Sequence, residues 1–247
     1  MSLVLEGHAP SCPLDRSAPK ARTSCAPFRP QAKSKILNSQ AAASQSPKPM
    51  TTNQPTDWES RYLANDTPWD KGAPHPALVQ YLAATPLTGR ILIPGCGLGN
   101  DVRALAQNPA AIPIGWDIAP SAVTAARALP PVGHEQYHLQ DLFTPPADQL
   151  ATFDAAFEDT CFCAINPSLR DQYVASVADL LRSSGTLVAI FFVNPDHDGD
   201  GPPYGCPLEE LDRLFNKSFR LLHEQTNLPT FPGRENREVL RVLEKIS

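Results

Sequence analysis

The hydrophobic and polar positions divide the chain near residue 55. Before that point the text is rich in Ser, Pro, Ala, Lys and Arg with no sustained apolar period. Such a composition cannot offset the entropy of ordering, so residues 1–54 are expected to be a disordered basic tail and residues 55–247 one globular domain. From Asp57 onward, short apolar runs alternate with helical patterns. Strands are expected at 90–94, 112–118, 136–139, 153–158 and 186–193, and helices at 100–107, 120–129 and 167–182. Pro120 and Pro167 suit first helical turns, and Gly185 reads as a helix exit. A helix at about 207–216 and two short strands at 220–225 and 239–243 follow. Near-continuous apolar strands separated by helices describe a parallel sheet covered on both faces. The expected fold is therefore α/β, a three-layer Rossmann-like sandwich with a seven-stranded, mostly parallel sheet and antiparallel last strands.

Composition narrows the class. The 247 residues, 42% hydrophobic, suffice for one core. The longest apolar run, 187–193, falls far short of the roughly 18 residues a membrane span needs. Six irregularly spaced cysteines and an N-terminus without the apolar stretch of a signal peptide point to a reducing, cytoplasmic setting. Organelle targeting by the Ser-rich tail is the lesser alternative, and Met50, just before the patterned text, makes a downstream translation start an equally simple expectation. The formal charge of −5 hides an asymmetry. Residues 1–49 carry seven Lys or Arg against two acids, leaving 14 basic and 24 acidic residues beyond them. An acidic body is unsuited to a nucleic-acid backbone. A small-molecule partner, and a monomer, are expected.

Three motifs carry chemistry. The strand Ile91-Leu92-Ile93-Pro94 runs into Gly95-Cys96-Gly97-Leu98-Gly99, a turn whose missing side chains let a ligand approach bare backbone. Its G-x-G-x-G spacing is one residue short of the dinucleotide fingerprint and favours a nucleoside without phosphates. Asp117, 22 residues after Gly95 at the tip of the second strand, stands where one carboxylate can accept from both ribose hydroxyls. Asp141-Leu142-Phe143 follows the third strand, where an acid can accept from an adenine amino group between apolar neighbours.

With these motifs, the chain resembles the thiopurine S-methyltransferase family, which includes thiol and halide methyltransferases. The resemblance rests on Trp58-Glu59-Ser60-Arg61-Tyr62, Thr67-Pro68-Trp69-Asp70-Lys71-Gly72, Pro74-His75-Pro76-Ala77-Leu78, the segments 94–101 and 162–170, and Gly201-Pro202-Pro203-Tyr204. It implies a class I fold and S-adenosyl-L-methionine as cofactor, contacted at Trp58, Tyr62, Trp69, Gly95, Asp117, Asp141, Leu142 and Asp159. Aromatic faces suit a sulfonium cation, although a helix could equally bury Trp58 and Trp69 as core. The chain departs from the family at Glu158-Asp159-Thr160-Cys161, where the plant enzymes place an aspartate and then a tyrosine, so a carboxylate replaces a phenol at Asp159.

The resemblance implies methyl transfer to a small soft nucleophile, first a thiol or sulfide sulfur, with halide or thiocyanate as the alternative acceptor. From the loops around the methyl site, His75, Phe162, Tyr173 and Tyr204 are candidate substrate contacts. Thiols are partly ionised near neutrality, so no catalytic base is named. No metal is expected, because Cys161-x-Cys163 lacks further partners for a tetrahedral site. Cys96, Cys163 and Cys206 read as fillers or pocket lining, and His134, His138, His197 and His223 as surface or loop residues. Two readings from other classes are a nucleotide-dependent oxidoreductase and a non-catalytic cofactor-binding module.

Overall fold

A computed structural model describes residues 56–195 and 201–246. The expected tail, and His197, lie outside the described residues. Among the described residues no helix is long and apolar enough to cross a membrane. Seven strands form one sheet: β1 (Gly89–Pro94), β2 (Ala111–Asp117), β3 (Gln136–Leu139), β4 (Phe153–Asp159), β5 (Leu181–Phe192), β6 (Phe219–Gln225) and β7 (Glu238–Lys245), in the order β3-β2-β1-β4-β5-β7-β6. The first five are mutually parallel, and β7 runs antiparallel to both of its neighbours. β1 and β4 end in four buried residues and in four buried residues before a half-buried Asp159, respectively, as strands covered on both faces must.

Helices α1 (Trp58–Leu63), α2 (Pro76–Ala84), α3 (Asn100–Leu105), α4 (Pro120–Ala128), α5 (Arg170–Leu180) and α6 (Leu208–Phe215) cover the sheet. Two apolar cores result. In one, Leu78, Val102, Leu105 and Val123 from α2–α4 pack on Ile91, Ile93 and Phe157. The other joins Tyr173 and Val177 of α5 and Leu211 and Phe215 of α6 to Leu92, Phe162 and Phe191.

The expected fold stands, and two local readings are corrected. The helix expected over 167–182 is a 3-10 turn, Pro167–Leu169, followed by α5. Asn166 caps that turn through Ser168 N–H at 2.9 Å, so the proline starts a separate turn. Gly185 is no helix exit. α5 ends at Leu180, and Gly185 lies inside β5, where the β4–β5 register jumps from Phe153↔Leu181 to Ala155↔Thr186. Tertiary pairing overrides the turn propensity there.

Strand order reverses between β1, which leads outward to β2 and β3, and β4, which leads to β5. In open α/β sheets such a switch point opens a crevice beyond the carboxyl ends of the strands. Gly95–Gly99 and Asp159–Cys161 meet there.

Candidate active site

The cleft at the switch point is lined by the glycine turn, Trp69, Asp70, Asn100, Asp159, Thr160 and Phe231. A wider hollow of about 530 Å³ lies at the opposite ends of β2 and β3, bounded by Pro109, His134 and Gln136, away from all of the motif residues.

Backbone geometry explains the glycines. Gly97 has φ 52° and Gly99 φ 81°, the left-handed region that side chains disfavour. A Cβ on Gly97 would lie 2.9 Å from the Tyr62 hydroxyl, and one on Gly99 would lie 2.6 Å from the Tyr137 ring. Asp117 locks this turn from β2, its Oδ2 accepting from Gly97 N–H at 2.8 Å and its Oδ1 from Ala119 N–H at 2.9 Å. Burial raises the Asp117 pKa against the backbone hydrogen bonds from Ala119, Gly97 and Ile118.

The alternative, that Trp58 and Trp69 are buried core, does not hold, because neither is fully buried. Instead Trp58, Tyr62 and Trp69 form a half-buried cluster. Trp58 and Trp69 meet edge to face at 5.2 Å, and the Trp69 indole N–H donates to the Tyr62 hydroxyl at 3.2 Å. The Arg61 guanidinium sits 4.4 Å from the Trp69 ring centre, which shows that this face accepts a cation. Two links that sequence reasoning missed fix the segment to the body. Glu59 accepts from Ser121 at the start of α4, and Asp70 accepts from the Asn100 side chain at the start of α3. A polar residue on an exposed-looking helix gave no signal for either.

Asp141 turns its Oδ1 to Phe143 N–H at 2.9 Å, with Leu142 buried beside it. The acceptor candidates fare differently. Phe162 and Tyr173 are core residues, packed on each other at 5.2 Å, and neither lines the cleft. Tyr173 donates to Glu158, whose carboxyl also accepts from Phe162 N–H, so the residues that sequence reasoning offered to substrate serve to hold the loop after β4. His75 is wholly buried, capping α2 rather than facing the cleft. Tyr204 is half-buried, its N–H on Cys163 O. Of the cysteines, Cys96 lines the cleft, whereas Cys163 and Cys206 are buried. His134, His138 and His223 are exposed.

Behind the cleft lies a cluster no local motif announced. His75 Nε2 is 3.1 Å from Glu238 Oε2, across 163 residues of chain, and its N–H donates to Asp101 at 2.8 Å. Arg234 pairs with the other oxygen of Glu238 at 3.0 Å. Burial works against the Glu238 charge, yet the bonds from His75 and Thr230 hold its pKa below the usual range. His75, Asp159 and Glu238 bring potential ligand atoms within 4.8 Å of one another. However, His75 Nδ1 accepts from Ala77 N–H, which places the ring proton on Nε2 and leaves no lone pair there for a metal. His75 and Glu238 are a hydrogen-bonded pair, with the Asp159 carboxyl close by.

The family model for thiopurine S-methyltransferase matches residues 53–247. The chain belongs to that family. It is therefore an S-adenosylmethionine-dependent methyltransferase, an assignment that displaces the oxidoreductase and non-catalytic readings. Within the family it is 33% identical to thiocyanate methyltransferase 1 of Arabidopsis thaliana, over 77% of this chain and 85% of the relative. It is 34% identical to probable thiol methyltransferase 2 of the same plant, over 67% and 74%, and 27% identical to a thiopurine S-methyltransferase of Photobacterium profundum, over 72% and 91%. Among solved structures, the 1,6-didemethyltoxoflavin N1-methyltransferase of Burkholderia thailandensis superposes with a TM-score of 0.61 at 18% identity, over 76% of this chain and 85% of that one. At that identity the likeness concerns the fold. The residues present fit the cofactor of the family: a turn whose glycines leave bare backbone, a buried carboxylate at the tip of β2, and a cluster of aromatic rings suited to a cation.

Proposed function

We propose that this methyltransferase acts on the sulfur of a small thiol or sulfide. Bound S-adenosylmethionine supplies an electrophilic methyl group. The chain aligns the partners and excludes water around them. Asp117 receives the ribose, Asp141 and Leu142 the adenine, the Gly95 turn the backbone of the cofactor, and Trp58, Tyr62 and Trp69 its sulfonium region. Asp159 faces the methionine end.

One observation carries the choice of acceptor. The wall of the cleft beside Gly95 presents Asp159 and Asp101, and the cations around it are already engaged. Arg234 is held by Glu238, Arg170 by Glu210 and the carbonyls of Tyr204 and Gly205, and Lys71 by the Pro68 carbonyl. A halide entering here would shed its water shell beside two carboxylates, with the nearby cations already engaged. A neutral, weakly hydrated thiol avoids that cost. The similarity to thiocyanate methyltransferase 1 supports a second reading, with thiocyanate or halide as acceptor.

A substrate panel separates them. Headspace detection of methylated products at matched acceptor concentrations is expected to give kcat/KM rising from chloride through iodide to thiols. Methyl chloride or methyl thiocyanate outrunning methylated thiol would reverse the assignment.

A further inference from the structure

The family assignment leaves open where the proton of a thiol goes, and the environment of Asp159 bears on it. Asp159 ends β4, one strand over from the glycine turn, and lines the cleft. Its carboxyl makes no hydrogen bond among the described residues, unlike every other acid of the cluster behind it. Asp101 accepts from His75 N–H, and Glu238 from His75, Thr230 and Arg234.

We propose that Asp159 is the catalytic base that takes the proton of a neutral thiol as its sulfur is methylated. This rests on the thiol reading above and adds to it. Buried acidic neighbours favour entry of the neutral thiol over a preformed thiolate, so its proton must leave at the site. Sulfur of the thiol bonds to the methyl carbon, the carbon–sulfonium bond breaks, and its electron pair stays with the departing thioether. The S–H proton passes to an Asp159 oxygen, and from there to water. No oxidant or metal is needed.

The groups facing Asp159 support the assignment. Asp101 of α3 and Glu238 of β7 repel its charge, His75 at the start of α2 and Arg234 before β7 favour it, and the Cys163 thiol lies nearby. Burial first, then Asp101, pushes its pKa up to about 8. A carboxyl raised in this way is, once ionised, a better proton acceptor than an ordinary aspartate. A sulfonium bound beside it favours the ionised form. His75 does not continue the relay, since its Nδ1 is held by Ala77 N–H.

The test compares an acceptor that must lose a proton with one that has none. In Asp159→Asn, kcat/KM for ethanethiol is expected to fall about 100-fold or more, the scale of general-base catalysis, while kcat/KM for iodide, which has no proton to lose, does not fall. A role in folding or cofactor binding would lower both rates and leave the ratio unchanged, which would overturn the proposal. A second readout needs neither turnover nor the variant. Carboxyl carbon-13 NMR of the whole chain should show Asp159 titrating far above the roughly 3.9 of an ordinary aspartate, and a midpoint near that value would also overturn it. If wild type methylates iodide but no thiol, the thiol reading falls and takes this proposal with it. Thiol turnover with an unchanged ratio in the variant removes the base alone.

Discussion

Replacing Asp117 with alanine tests the cofactor site at its most buried polar point, and two costs can be separated. Asp117 is 7% exposed and holds both Gly97 N–H and Ala119 N–H. Hydrogen bonds to a charged group contribute about 1.5–3 kcal/mol. Losing the ribose interaction should therefore weaken cofactor binding by about 10- to 150-fold. The stability cost falls mainly on Ala119, which is wholly buried and leaves its N–H without a partner, whereas Gly97 is half-buried and open to water. An orphaned buried donor costs about 1–3 kcal/mol, lowering Tm by about 2–10 °C in a domain of this size. Calorimetric titration with S-adenosylhomocysteine, run well below the variant's Tm, reads the first cost, and differential scanning calorimetry reads the second. Wild-type affinity in a folded variant would refute the ribose assignment, whatever happened to Tm.

Glu158 gives a pH prediction. Burial pushes its pKa up to about 7 from an ordinary 4.5, so the folded chain holds this proton more tightly than the unfolded one. Stability is full below about pH 4.5 and is lost as pH rises through about 7, by about 3 kcal/mol from this group. Asp159 extends the same trend towards pH 8. Glu158→Gln should flatten the Tm profile of the ligand-free enzyme between pH 5 and 7, and an unchanged slope would show that Glu158 titrates normally. Deletion of residues 1–49 should leave Tm and turnover unaltered, since that stretch of sequence carries no sustained apolar period to add to a core. A large loss of either would show that the tail contributes to the domain.

The sheet and the glycine turn that Asp117 locks were legible because their signals are local. An apolar run such as Ile91–Ile93 must be buried, a turn needing left-handed backbone at Gly97 and Gly99 must use glycine, and Asp117 follows at the length of one βαβ unit. The resemblance at Trp58, Tyr62 and Trp69 added aromatics that no period could assign. The acceptor end was not legible in this way. Phe162 opens one of the resemblance segments and Tyr173 follows just after it, yet packing turns both into the core, and His75 faces Glu238. Gly185 has the residue type of a helix exit, but strand pairing with β4 claims it. Periodicity and turn chemistry report on a few neighbouring residues at a time. The surroundings of Asp159 are assembled from α2, α3, β4 and β7, and whether a carboxylate there is bonded, repelled or left facing the cleft depends on charges brought together only when the sheet closes.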